Sequence, residues 1–310
     1  MKIVDVDFFV FLLASSIRMA VPIFLASLGE LFAERSGILN IGMEGMMLIG
    51  AFTAYLGSYF LGDPWLGALC AIIAAGGIGL LHAFLSVTVG SDQVVSGIVI
   101  NILGLGLTTY FYRAVFGIHI REPAPSFAPA SVPILAQTPI IGPIFFQQNV
   151  LVYLSYILVP LFAFILFKTT IGLKIRAVGE KPEVADTLGI DVRFVRYVCT
   201  VFGGMMSGLA GAFLSLAHLS YFTENMTAGR GFIALATVIL GQWNPFLVFG
   251  GCILFGAADA LQIRLQVMGL PIPYPFLLMF PYVVTIISLL VSRRVFPPKA
   301  LATHYKRGEK

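Results

Sequence analysis

Charge is what this 310-residue chain has least of. Only 11% of its residues are Asp, Glu, Lys or Arg, against 58% hydrophobic, and the mean hydropathy is +0.95. A soluble globular domain carries about 25% charged residues, so the composition is that of a polytopic membrane protein. Cysteine is scarce as well. Cys70, Cys199 and Cys252 form an odd, scattered set in apolar runs, which excludes a disulfide framework and reads as small buried hydrophobes. No phosphate-binding loop of the G-x-x-x-x-G-K-[ST] type occurs; Gly172-Leu173-Lys174 is the nearest stretch and lacks the spacing. H-E-x-x-H and C-x-x-C are missing, and His82, His119, His218 and His304 are dispersed. Neither a catalytic centre nor a metal or cofactor site is expected. If such a chain pumps a solute, ATP must be consumed on another polypeptide.

A net charge of +4 and a pI near 9.0 would suit nucleic acid in a soluble protein. Here twelve of the nineteen Lys and Arg fall in two regions, 168–196 and 293–310. Basic clusters beside apolar runs report topology, not a nucleic-acid face. A spanning helix needs about 20 mostly apolar residues, and the candidates are 8–28, 38–60, 65–90, 94–116, 150–167, 197–217, 231–243, 246–264 and 276–292. The run 231–243 is short, a half-helix or one arm of a hairpin. The loop 117–149 is Pro-rich and half apolar, with room for a re-entrant piece. The expectation is an all-α fold of about eight to ten spans, with no internal domain boundary. Placing both basic regions inside puts 168–196 and the 293–310 tail in the cytoplasm and 117–149 outside. The first apolar run is too long for a cleavable signal peptide and lacks a cleavage pattern of small residues.

The longest charged interruption, Lys168 to Arg196, contains one short helix with clear punctuation. Pro182 suits a first helical position. Glu183 and Asp186 favour the positive end of the helix dipole, and Gly189 suits a left-handed stop. Val184, Ala185 and Leu188 form one small apolar face. A helix of about seven residues is unstable alone in water, so it must dock: on its own membrane domain, on lipid headgroups, or on a soluble partner.

Polar residues within the apolar runs are suspects, because an acidic side chain at the centre of a span costs about 2.5–3.5 kcal/mol. Glu44 sits in LNIGMEGMMLIG with Asn40 one turn earlier. It reads either as a group near a solute path or gate, or as a structural anchor near the end of its span. Asn101, mid-run, can donate and accept, towards solute or a neighbouring helix. Asp92 reads as a helix cap. Asp259 and Arg264 read as a local ion pair or as snorkelling side chains. Gly203, Gly204, Ser207, Gly208 and Gly211, with Gly97, Gly104 and Thr108, are small residues at helical spacing, suited to close helix packing.

Three stretches carry a family resemblance. Glu183-Val184-Ala185-Asp186-Thr187-Leu188-Gly189 resembles the E-A-A-x-x-x-G coupling loop of ABC importer permeases, with Val at the second place. The run from Gly29 to Leu48, GELFAERSGILNIGMEGMML, and Gly229-Arg230-Gly231-Phe232-Ile233-Ala234-Leu235-Ala236 are similar to signatures of the permease family for simple sugars, nucleosides and branched-chain amino acids. The likeness covers roughly residues 15 to 290 and is greatest to the nucleoside-uptake branch. It implies the non-catalytic membrane subunit of a bacterial ABC importer in the plasma membrane, working by alternating access. One transmembrane permease domain would fill 1–310, with a cytoplasmic coupling helix and C-terminus. Implied partners are an ATP-binding subunit, a second and paralogous permease subunit, and an extracytoplasmic solute-binding lipoprotein. Glu183, Ala185, Asp186 and Gly189 would contact the ATPase. Asn40, Glu44, Asn101, Glu224 and Asn225 would line the pathway or gate, the last two because the family places that region near the path. Ribose, another simple sugar or a branched-chain amino acid is the alternative cargo. A secondary transporter or channel that needs no ATP is the alternative class.

Overall fold

A computed structural model describes residues 6–117, 122–268, 273–291 and 296–306. Among these, the α-helices run in order as α1 (Val6–Arg35), α2 (Met43–Leu61), α3 (Pro64–Ala83), α4 (Gln93–Phe116), α5 (Val150–Lys168), α6 (Thr170–Glu180), α7 (Pro182–Thr187), α8 (Val192–Ala212), α9 (Arg230–Leu240), α10 (Pro245–Val267) and α11 (Tyr274–Val291). Six, namely α1, α3, α4, α5, α8 and α10, are long and apolar enough to cross a membrane; π turns at Phe84–Val89 and Phe213–His218 extend α3 and α8. Arg230–Leu240 and Pro275–Ser288 are apolar but shorter. The chain is a helical multi-pass membrane protein.

Short polar residues start these helices. The Asp63 carboxylate accepts from the N–H groups of Trp65 and Leu66, and Asp92 accepts from Val94 and Val95, the capping role its sequence suggests. Asn149, Asp191 and Asn244 do the same for α5, α8 and α10. Each satisfies amides that have no partner within the helix.

The core sits around α8, which packs against α1, α2 and α3. Lipid tails are as apolar as leucine, so helices associate through close packing of small residues. Gly204 shows this: a Cβ there would lie 2.6 Å from the Ala75 carbonyl oxygen. Gly208 meets Gly50 just as closely, where a Cβ on Gly50 would lie 2.5 Å from the Gly208 Cα. Phe32 on α1 locks edge-on against Phe162 and Phe202, each at 5.3 Å between ring centroids.

Several expectations need correction. Residues 38–42 are irregular, so the apolar run expected to span from 38 becomes helix only at Met43. The charged stretch holds a second complete helix, α6, beside the expected α7, and the start of α8. In α6, Gly172, Ile175, Val178 and Gly179 form the buried stripe while Ile171 and Leu173 are exposed, so its large apolar residues alternate along the sequence. The Pro-rich segment contains a two-stranded antiparallel ribbon, β1 (Pro129–Ser131) with β2 (Gln147–Asn149), with short helical turns at Ile134–Gln137 and Gly142–Phe146 between the strands. Proline lacks the donor a helix interior needs but is tolerated as a first strand residue. Asp259 pairs with Arg230 at 3.5 Å, not with Arg264, whose guanidinium lies over the Phe8 ring at 5.2 Å.

The Pro-rich segment closes one end of the molecule: the Ala124 and Phe127 N–H groups donate to the Ser220 and Leu216 carbonyls, both at 2.9 Å. At the other end, the chain after α11 comes back to the bundle. Ala300 N–H donates to the Gly179 carbonyl at 2.9 Å and Ala302 N–H to the Gly37 carbonyl at 3.1 Å. Of the basic tail, Arg293, Arg294, Arg307 and Lys310 lie outside the described residues, as does His119.

Candidate functional site: a junction of interrupted helices

The expected polar residues gather where two helices begin inside the bundle. α2 starts beside α4, not at the molecule's end. A Cβ on Gly45 would lie 2.5 Å from the Ile100 carbonyl oxygen. α9 has only eleven residues, about 17 Å at 1.5 Å per residue, too short to cross. Its N-terminus meets the start of α2 at Glu44. Gly229 and Gly231 N–H both donate to the Glu44 carboxylate, each at 2.7 Å. That geometry explains the Gly-Arg-Gly sequence. Gly229 has φ +82, a left-handed conformation that L side chains rarely adopt. A Cβ on Gly231 would lie 2.7 Å from the backbone of Glu44. Glu44 thus supplies the anion that a helix N-terminus favours.

Irregular backbone inside an apolar bundle needs partners, and side chains supply them for four of the six backbone groups of 39–41. Leu39 N–H donates to Gln93 Oε1 at 2.8 Å, and its carbonyl lies 3.2 Å from His82 Nε2. Asn40 N–H donates to Glu30 Oε1 at 2.8 Å. The Asn101 amide donates to the Ile41 carbonyl at 3.0 Å and accepts from Gly45 N–H at 2.8 Å. Asn40 accepts from Gly42 N–H at 3.1 Å. Asn40, Glu44 and Asn101 therefore meet in one place, and their polar atoms bind backbone, except for Asn40 Nδ2, which donates to Met46 Sδ at 3.5 Å.

Sequence reading missed Glu30, Glu34, Gln93 and Trp243 as members of this network. Glu30 and Glu34 lie one turn apart on α1 and are buried. The Trp243 indole N–H donates to Glu34, and Arg35 donates to the Trp243 carbonyl at 3.1 Å. This ties the α9–α10 corner to the same end of α1. The available signal was two acids with i, i+4 spacing in an otherwise apolar helix.

Glu224 and Asn225 lie apart from this junction. Arg113 of α4 donates to both Glu224 oxygens, at 2.7 and 2.8 Å. The guanidinium holds the Glu224 carboxyl below its usual range. With Asn225, the pair borders a groove of about 940 Å³ along α4, lined also by Ile102, Leu105, Thr109 and Tyr110.

The predicted coupling residues are on and after α7. Pro182 opens it and Gly189, at φ +80, ends it, as its punctuation suggests. Its apolar face does not dock as a unit. Ala185 is buried against Val178 and Val192, whereas Val184 and Leu188 are 51% and 74% exposed. Glu183 is exposed beside them.

A family model for the permease component of branched-chain amino acid transport systems matches residues 12–289. The chain belongs to this permease family. A guanosine ABC transporter permease protein of Bacillus subtilis, NupQ, is 39% identical over 94% of this chain and 95% of its own length. A putative glucose ABC transporter permease protein of Haloferax volcanii, TsgC13, is 41% identical over 84% and 79%. A nucleoside ABC transporter permease protein of Lactococcus lactis, NupC, is 36% identical over 96% and 97%. No solved structure matches the chain. The protein is the permease component of an ABC transporter, a non-catalytic membrane subunit.

Proposed function

We propose that this permease imports nucleosides across a bacterial plasma membrane by alternating access, driven by ATP hydrolysis on a separate subunit. The observation that carries the ATP-driven part is α7: a short helix that stands off the bundle with Val184 and Leu188 uncovered and Glu183 exposed. A helix so short needs a further partner. Glu183, Ala185, Asp186 and Gly189 form the ATPase contact, with Ala185 seating the helix and the others facing outwards or shaping its end. In this reading α7 and the C-terminus are cytoplasmic, and α2, α9 and α11 complete about eight to ten membrane elements in one permease domain.

Glu44, Asn40 and Asn101 act at the gate, by holding the starts of α2 and α9 together. Glu224 and Asn225 border the solute groove along α4. That helix buries little of its surface and exposes Ile98, Ile102 and Leu105, which suits a face shared with a second, paralogous permease subunit. An extracytoplasmic lipoprotein delivers solute on the side of the Pro-rich segment. The nucleoside assignment is supported by two of the relatives named above; the glucose relative favours a simple sugar as the second reading.

Co-purification from native membrane, followed by uptake in proteoliposomes with labelled guanosine and glucose, tests both parts. ATP-dependent guanosine uptake that unlabelled glucose does not compete is expected. Glucose-selective uptake replaces the cargo. Accumulation by the permease alone, without nucleotide, overturns the proposal.

A further inference from the structure

Arg196 and the chain after α11 make a connection that topology alone does not require. Arg196 is 1% exposed in the second turn of α8, and no carboxylate is within ion-pair distance of it among the described residues. A buried guanidinium is costly unless its donors are used. Here its planar fork joins two segments far apart in sequence. Nε donates to the Ser36 carbonyl at 3.2 Å, and Nη1 to the Thr303 carbonyl at 2.8 Å. Nη2 is buried with no hydrogen-bond partner, 2.9 Å from where a Gly37 Cβ would sit. A lysine has one charge centre and cannot reproduce a two-pronged bridge.

Segment 298–305 has its own ties on either side of Arg196. Ala302 N–H donates to the Gly37 carbonyl and Ala300 N–H to the Gly179 carbonyl. Gly179 presses against the Arg35 carbonyl, where a Cβ has no room. Tyr305 packs on the cluster of Val178, Ala185 and Val192 that seats α7. His304 Nδ1 lies 3.4 Å from the Ser86 carbonyl, at the turn after α3. Ala302 has φ +59, strain that an alanine bears only when its surroundings fix it. Terminal segments ordinarily fray; this one pairs its backbone with the end of α6 and with the α1–α2 loop.

We propose that segment 298–305 and Arg196 form a clasp that carries movement of α7 into the 36–42 loop, with Arg196 as its positioning residue. This rests on the reading of α7 as the ATPase contact. A pull on α7 moves Ala185, Val178 and Gly179. The clasp passes that displacement to Gly37 and Ser36, and the loop passes it through Leu39, Asn40 and Ile41 to the start of α2. Glu44 and the start of α9 then move with it. Without the clasp, ATP turnover continues but is no longer converted into gate opening.

The test uses the whole importer, with its ATPase and binding protein, in proteoliposomes. Arg196→Gln and Ala302→Pro are expected to leave ATPase co-purification intact while solute moved per ATP falls about tenfold, the range for mutations along a coupling route. Arg196→Lys should fall between them and wild type. Thr303→Ala, which keeps the carbonyl, should match wild type. Arg196→Gln and Ala302→Pro together should lose little more than either alone, because they cut one link. An unchanged solute-to-ATP ratio in the single variants, or a parallel fall in uptake and ATP turnover, overturns the clasp. In the unmodified importer, amide exchange at Leu39–Ile41 and at Ala300 and Ala302 should change together on ATP binding. Change in 39–41 alone also overturns it. A wild-type chain that never retains an ATPase defeats the underlying reading of α7 instead.

Discussion

The start of α2 and the helix α7 are opposite solutions to being out of place. Around Glu44 the chain puts irregular backbone and polar side chains inside an apolar bundle, and its own side chains take up both backbone groups of Leu39, the Asn40 amide and the Ile41 carbonyl. At α7 it puts apolar side chains outside the bundle and leaves Val184 and Leu188 uncovered. The first region is largely closed upon itself, because an unpaired polar group in lipid costs several kcal/mol, although Glu30 Oε2 and Glu34 Oε1 are buried with no hydrogen-bond partner. The second remains open, because an apolar group in water costs only what its area demands, and a partner can remove that cost. On the reading proposed above, internal closure marks a part the chain builds alone, and the open apolar face of α7 one that it completes with its ATPase.

The contrast is broken most severely at Glu44. Glu44→Ala leaves the Gly229 and Gly231 amides without acceptors, each worth about 1–3 kcal/mol when buried. Thermal denaturation of the purified subunit should show that loss, with uptake abolished. Undiminished stability would mean that the two helix starts do not depend on each other. Asn101→Ala should follow with a smaller loss, about 1–3 kcal/mol in all, because the site is only half-buried and water can reach the freed Gly45 and Ile41 groups. Leu188→Asp should do the reverse. Its stability effect should stay within about 0.5 kcal/mol, as for surface substitutions. ATPase recovery should drop about tenfold, as when a contact near the centre of an interface is lost. A destabilised subunit that still binds its ATPase would place Leu188 in the closed class.

Both regions could be found in the sequence, but to different depths. Pro182, the acids after it and Gly189 mark α7 because helix termini use local chemistry, written in adjacent residues. Asp92 declared itself as a cap for the same reason. The junction was visible only as suspects. Glu44, Asn40 and Asn101 stood out by cost, but their partners are Gly229, Gly231, Gly42, Ile41 and Gly45, mostly backbone groups that composition cannot point to. Glu30 and Glu34 fall between the apolar runs 8–28 and 38–60, in a stretch that stood out for its family likeness and not for its acids, and nothing local singles out Trp243. α6 was missed because Ile171, Leu173 and Ile175 alternate at a period of two, which hides the buried stripe of Gly172, Ile175, Val178 and Gly179. The return of segment 298–305 was illegible, since a basic tail looks the same whether it is bound or free.

The smallest expected effect lies between the two extremes, at the Arg113–Glu224 pair. It is charged like the junction's residues yet half-exposed like α7, with side-chain exposures of 52% and 36%. Exposed pairs add little to stability, because water screens them and holding two long side chains costs entropy. The sign of its pH dependence is nevertheless fixed. Hydrogen bonds from Arg113 hold the folded-state Glu224 carboxyl below its ordinary range. Its contribution is therefore complete above the unfolded carboxylate value, about 4.3, and is lost as pH falls through the lower folded value. Near neutral pH, Glu224→Gln should leave stability almost unchanged and alter uptake only if the groove along α4 carries solute. Melting temperature and initial uptake rate, measured from neutral to acid pH in both proteins, separate the cases. A shift in KM with no shift in melting puts Glu224 beside the solute. A loss of melting temperature at neutral pH as large as that of Asn101→Ala would mean that the pair belongs with the closed junction after all.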